Sequence, residues 1–275
     1  MPGPVRDDER GGGASVPVPG PVALVGSGEF LDVMAPVDAG LLEGRPRRAV
    51  IVPTAAAREG EERVSYWLEL GRRHYEAMGV EPVGLDVRTR RDAEDPAIAA
   101  SVKGAGLVYL SGGDPHHLSD TLRDSALWLA IVAAWREGAA LGGCSAGAMA
   151  LTSGAPDNLL PTGGASRRAP EHPRLANGLG LIGGLAVIPH FDQMERLRPG
   201  ALEWFASWQP GGTSLVGIEE QTALVVAGGR WQVQGVGAVW VLDAGRRARY
   251  DPGDEVPLPD PGPAPPDGRP DDAPR

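Results

Sequence analysis

Short apolar runs alternate with amphipathic stretches over the first half of the chain. PVALVG (21–26), AVIVPTAA (49–56), EPVGLDV (81–87), GLVYLSGG (106–113) and AALGG (139–143) are bounded by Gly, Pro or charged residues and predict strands. Between them lie helical patterns. In EGEERVSYWLELGRRHYEAMGV (59–80), Val64, Trp67, Leu68, Gly71 and Tyr75 recur at helical spacing. DPAIAASVKGA (95–105) and LSDTLRDSALWLAIVAAWREG (118–138) predict two more helices, the second of them long. Strands that alternate with helices at this spacing build a parallel sheet covered on both faces, a three-layer αβα sandwich. Further on, SLVGIEEQTALVV, RWQVQG and AVWVLDAG follow one another without helices. They predict antiparallel strands that extend the edge of the mostly parallel sheet.

The two ends break this pattern. Residues 1–19 are rich in Gly, Pro and charge, and residues 251–275 are proline-rich and acidic. Neither can bury enough apolar surface to offset its ordering entropy, so both are expected to be disordered tails around a single domain, 20–250. The polar stretch 153–184 reads as a surface loop or a substrate lid, with the loop preferred. No apolar run approaches the length of a membrane span, and the N-terminus lacks the apolar core of a secretory leader, so a cytoplasmic location is expected. The formal charge of −10 argues against nucleic acid as a partner. One cysteine excludes an internal disulfide and a multi-cysteine zinc site.

Sites in parallel sheets lie beyond the C-terminal ends of strands. Three glycine-containing strand ends qualify: GSGEF (26–30), SGGDPHH (111–117) and GGCSAGA (142–148). The last holds two potential nucleophiles, Cys144 and Ser145. Gly143-Cys144-Ser145-Ala146-Gly147 fits the G-x-S-x-G nucleophile elbow, with a strand before it and a helix pattern after it. Centring the motif on Cys144 puts Ala146 where the second glycine belongs, so the frame favours Ser145. The N–H of Ala146 is then placed to stabilise an oxyanion. Of the five histidines, His74 is expected at the surface of its helix. His190, at the end of LAVIPHF (185–191), is the preferred base and His116 the second choice. The acid is open among Asp157, Asp192, Glu219 and Glu220.

The order strand–GSGE, VPTAA, LSGGD, GCSAGA, GLGLIGGLAVIPHFDQMERL, VGIEEQTALVV resembles the cyanophycinase / dipeptidase E family of serine peptidases across residues 21–243. That family's fold is similar to the class I glutamine amidotransferases. The resemblance implies a Ser145–His190–Glu220 triad, with Glu219 or Asp157 as other acids. It implies an oxyanion hole from Gly113 and Ala146, and substrate contacts from Gly112, Asp114, Gln193 and Arg196. It implies neither metal nor organic cofactor. The expected substrate is a small peptide or isopeptide, Asp-linked by resemblance, and a homodimer is compatible with it. Pro115 stands where the family has Gln, and Met194 where it has Arg. The resemblance therefore carries the core chemistry further than the substrate. Two other readings predict different outcomes: a glutamine amidotransferase-like enzyme using Cys144, and a non-catalytic binding module.

Overall fold

The computed structural model describes residues 18–156, 175–197 and 212–260 apart from 244 and 245, together with 199–201, 203 and 205. The first five strands are β1 (Val22–Val25), β2 (Arg48–Val52), β3 (Glu81–Gly84), β4 (Leu107–Leu110) and β5 (Ala140–Cys144). They pair in parallel in the order β1-β5-β4-β2-β3. β6 (Gly154–Pro156) and β7 (Leu175–Asn177) form a separate antiparallel pair. β8 (Leu185–Ile188) and β9 (Ser214–Ile218) are parallel partners in a second sheet. The chain then returns to the first sheet as β10 (Thr222–Ala227) and β11 (Arg230–Gly235), both antiparallel. β12 (Val239–Asp243) and β13 (Arg246–Tyr250) complete the second sheet, and β14 (Glu255–Val256) closes the edge of the first.

The connecting helices are α1 (Ala35–Leu41), α2 (Glu61–Ala77), α3 (Arg90–Ala93), α4 (Pro96–Ala100), α5 (Pro115–Leu122), α6 (Ala126–Arg136), α7 (Ala146–Leu151) and α8 (Met194–Leu197). Successive strand residues face opposite sides, which divides the core in two. Val22 and Leu24 of β1 pack in one cluster with Leu127, Trp128 and Ile131 of α6. Ala23 and Val25 pack in another with Val37 and Leu41 of α1 and Tyr75 of α2. β2 and β4 divide in the same way, so the main sheet is covered on both faces. The expected sandwich is present, with a smaller second sheet added to it.

Five expectations need correction. The stretch 118–138 is two helices rather than one. Asp124 adopts a left-handed φ of 56° between them, and Ser125 caps α6 by accepting from the Trp128 amide at 3.0 Å. SLVGIEEQTALVV is likewise two strands in two sheets, because the backbone turns at Glu219–Gln221, where Gln221 has φ 56°. β12 also belongs to the second sheet rather than to the main edge. The domain continues past 250: β14 pairs with β11, Val256 is buried, and Trp231 Nε1 donates to the Pro259 carbonyl at 2.9 Å. His74, expected at the surface, is buried with its Nε2 2.8 Å from Asp38 Oδ2. Its helical position faces α1, and burial pushes the Asp38 carboxyl above its ordinary range.

Candidate active site

β5 runs between β1 and β4, with Cys144 opposite Val25 and Gly143 opposite Leu110. Three strand ends therefore open at one edge. The chain leaves β5 at Ser145 with φ 49° and ψ −108° and enters α7 at Ala146. Such a conformation costs an L-residue about 1–3 kcal/mol, so its surroundings must enforce it. The Ser145 N–H donates to the Val25 carbonyl at 2.9 Å, and the Ser145 carbonyl accepts from Met149 N–H at 3.0 Å. The turn also needs room. A Cβ on Gly147 would stand 2.2 Å from the Leu110 carbonyl oxygen, so α7 can start this close to β4 only with glycine there.

His190 lies two residues beyond β8, in the left-handed region at φ 51°. Its Nε2 is 3.1 Å from Ser145 Oγ, and its Nδ1 is 3.0 Å from Glu220 Oε1. Glu220 sits in the three-residue link between β9 and β10. Its backbone N–H donates to Asp192 Oδ1 at 2.9 Å, and the next N–H, of Gln221, donates to the Ser27 carbonyl at 3.0 Å. The structure thus brings together Ser145 from the main sheet and His190 and Glu220 from the second sheet and its link.

The other candidates are placed elsewhere. Glu219 accepts from Ala238 N–H at 2.8 Å and from Trp240 Nε1 at 2.7 Å, so both its oxygens hold β12. Asp192 acts on Glu220 rather than on the imidazole. Asp157 lies outside the described residues. His116 is exposed at the start of α5. Of the expected substrate contacts, Gly112 and Gly113 line the cleft beside Ser145. Gly113 has φ 142°, and a Cβ there would collide with Ala55 backbone at 2.4 Å. Asp114 is engaged by its own chain: Oδ1 accepts from the His116 and His117 amides at 2.9 and 3.0 Å, and Oδ2 meets Arg58 at 2.9 Å. It caps α5 and so fixes the glycine turn. Gln193 Nε2 donates to Asp192 Oδ2 at 2.6 Å, and Arg196 is exposed on α8.

Sequence reasoning missed Glu29. It is 5% exposed, Oε1 accepts from Gly112 N–H at 2.9 Å, and Oε2 accepts from the Cys144 thiol at 2.7 Å. One carboxylate therefore ties the glycine turn to the residue before Ser145. The available signal was its place in GSGEF, a flagged strand-end loop holding one acidic residue. Cys144 itself is fully buried. Burial first, and then the negative charge of Glu29, push its thiol well above the ordinary range. A thiol is nucleophilic as the thiolate, so this environment suppresses its reactivity. Among the described residues, no cluster of three or more His, Cys, Asp or Glu could hold a metal ion. No helix among them is long and apolar enough to cross a membrane.

The family model of peptidase family S51 matches residues 23–234, a span that takes in the elbow, His190 and Glu220. The chain belongs to peptidase family S51. Among S51 relatives, it is 34% identical over 176 residues to a cyanophycinase of Trichormus variabilis, covering 62% of this chain and 56% of that one. It is 29% identical over 200 residues to the cyanophycinase of Geminocystis herdmanii, covering 70% and 68%. The chain thus spans about half the length of the first of these relatives. A solved peptidase from an acI-B1 actinobacterium superposes with a TM-score of 0.77 at 36% identity, covering 88% of this chain and 98% of that one. That coverage extends the likeness from the motifs to most of the chain.

Proposed function

We propose that this S51 member is a serine-type peptidase that cleaves a peptide or isopeptide bond through Ser145, His190 and Glu220. The observation that carries the reading is the continuous chain of contacts: 3.1 Å from Ser145 Oγ to His190 Nε2 and 3.0 Å from His190 Nδ1 to Glu220 Oε1. Both fall within the reach of proton transfer and orientation by hydrogen bond.

In this reading Ser145 Oγ attacks the carbonyl carbon as its proton passes to His190 Nε2. Glu220 holds the Nδ1–H and favours the imidazolium that forms. Negative charge on the carbonyl oxygen is met by the N–H groups of Gly113 and Ala146. Ala146 suits this role because the first amides of a helix lack an intrahelical acceptor. When the tetrahedral intermediate collapses, the C–N bond breaks and His190 returns the proton to the leaving amine. Water then attacks the Ser145 ester as His190 takes its proton; the Oγ–C bond breaks, His190 returns the proton to Ser145 Oγ, and the acyl product leaves as its carboxylic acid. The substrate is a short, Asp-linked peptide or isopeptide, a reading supported by the cyanophycinase relatives. A site in the cytoplasm is part of the same proposal.

A fluorophosphonate probe tests the nucleophile. Labelling of the wild type and none of Ser145→Ala is the expected result. Labelling that persists in Ser145→Ala, or a wild type that neither labels nor hydrolyses aspartyl dipeptides, overturns the reading.

A further inference from the structure

Ser145 and His190 open into a cleft of about 400 Å³, one wall of which comes from α2. Arg63, Tyr66, Trp67 and Leu70 line it at the i, i+3, i+4, i+7 spacing of a single helix face, and Leu31 joins them from the loop after β1. Trp67 and Leu70 pack in part against the core beneath, but the face continues outward beyond it. Here Tyr66 is 50% and Leu31 42% exposed, two of the six large apolar residues found exposed among the described residues. The wall is also organised. The Tyr66 and Trp67 rings meet edge-on with centroids 5.3 Å apart, and the Arg63 guanidinium lies 5.1 and 4.9 Å from them. Arg63 Nε is 3.3 Å from Glu59 Oε2, one turn back.

We propose that this wall is the subsite for the C-terminal residue of a short peptide. An aromatic or large aliphatic side chain lies against Tyr66, Leu70 and Leu31, and the terminal carboxylate meets Arg63. A guanidinium has five N–H donors, and its contact to Glu59 uses one of them in a half-exposed pair that a second carboxylate can join or displace. Glu59 lines the same cleft, so an incoming carboxylate must join or displace it at Arg63, and the apolar wall beside that pair suits an occupant that carries an apolar side chain and an anion on neighbouring atoms. Within a peptide, an apolar residue offers both only at the C-terminus. The cleft volume is in the range of small-molecule sites, which suits a short peptide rather than a folded protein. The inference rests on the peptidase reading in that Ser145 lines the same cleft.

The test compares Asp-Phe, Asp-Leu, Asp-Ala and the C-terminal amide of Asp-Phe, in the wild type, Tyr66→Ala and Arg63→Gln. Expected is kcat/KM about tenfold or more higher for Asp-Phe than for Asp-Ala, the discrimination that added apolar contact commonly supplies. Tyr66→Ala brings that ratio towards one. Arg63→Gln removes the preference for the free acid over the amide. The same rankings are expected for binding to Ser145→Ala by calorimetry, which needs no turnover. Flat rankings, rankings that both substitutions leave unchanged, or no binding of any of the four peptides overturn the subsite, even if aspartyl dipeptides are cleaved. Binding that ranks as expected without turnover or Ser145 labelling supports the subsite and sinks the peptidase reading.

Discussion

Replacing Cys144 separates its two conceivable roles, because the structure assigns it a hydrogen bond and no access. Its thiol donates to Glu29 Oε2 at 2.7 Å within a fully buried position, and Glu29 is itself 5% exposed. Hydrogen bonds to a charged group contribute about 1.5–3 kcal/mol, and leaving one partner buried and unpaired forfeits that amount. For a domain of this size each kcal/mol moves Tm by about 2–4 °C, so Cys144→Ala is expected to lower Tm by roughly 3–12 °C. Cys144→Ser keeps a donor in the same place and should recover much of the loss. Both variants are expected to retain fluorophosphonate labelling at Ser145. Differential scanning calorimetry and active-site labelling of the same preparations give the answer. A folded Cys144→Ala that neither labels nor hydrolyses aspartyl dipeptides, beside a Ser145→Ala that still hydrolyses them, makes Cys144 the nucleophile and refutes the reasoning. A Tm equal to that of the wild type refutes the thiol–carboxylate bond.

Two further substitutions probe the strand ends. Gly147→Ala places a Cβ 2.2 Å from a backbone oxygen of β4, so α7 must shift and Ser145 with it. A displacement approaching 1 Å costs about 100-fold in rate, so kcat/KM is expected to fall by about that much, beyond the loss of stability; an unchanged rate refutes the close approach. Asp114 is desolvated, which alone would raise its pKa, but the His117 amide, Arg58 and the His116 amide outweigh this and hold the carboxyl below its ordinary 3.8. A carboxyl group depressed in the fold contributes stability that is present above its ordinary value and is lost as the pH falls through its lower folded value. Thermal stability of the wild type should therefore fall more steeply below pH 3.8 than that of Asp114→Asn, and parallel curves refute the cap.

The alternation of apolar runs and helical patterns made the parallel sheet legible because β1, β2, β4 and β5 are buried on both faces while α2 and α6 bury one face each. Ser145 was legible because an elbow needs glycines at fixed offsets, and Gly147 shows the steric reason. His190 and Glu220 were harder: each is brought in by pairing between strands distant in sequence, and only the family resemblance singled out Glu220. The second sheet was not legible. SLVGI and TALVV read as one run, since the turn at Gln221 uses a left-handed conformation that no glycine advertises. His74 was misread because its polarity outweighed its position, although a polar residue can be buried where a partner such as Asp38 meets it. Glu29 escaped notice because its partners are a backbone amide and a thiol, which leave no charge pattern in the sequence.

The division of the site between two sheets also has a kinetic meaning. The elbow needs only β1, β4, β5 and α7, whereas the contact of His190 with Ser145 closes across 45 residues and requires the second sheet to be seated. The main sheet itself closes longer segments, since β1 pairs with both β5 and β10, so turnover is expected to return on refolding only once both sheets have formed. Catalytic competence then serves as a reporter that both sheets are seated against each other.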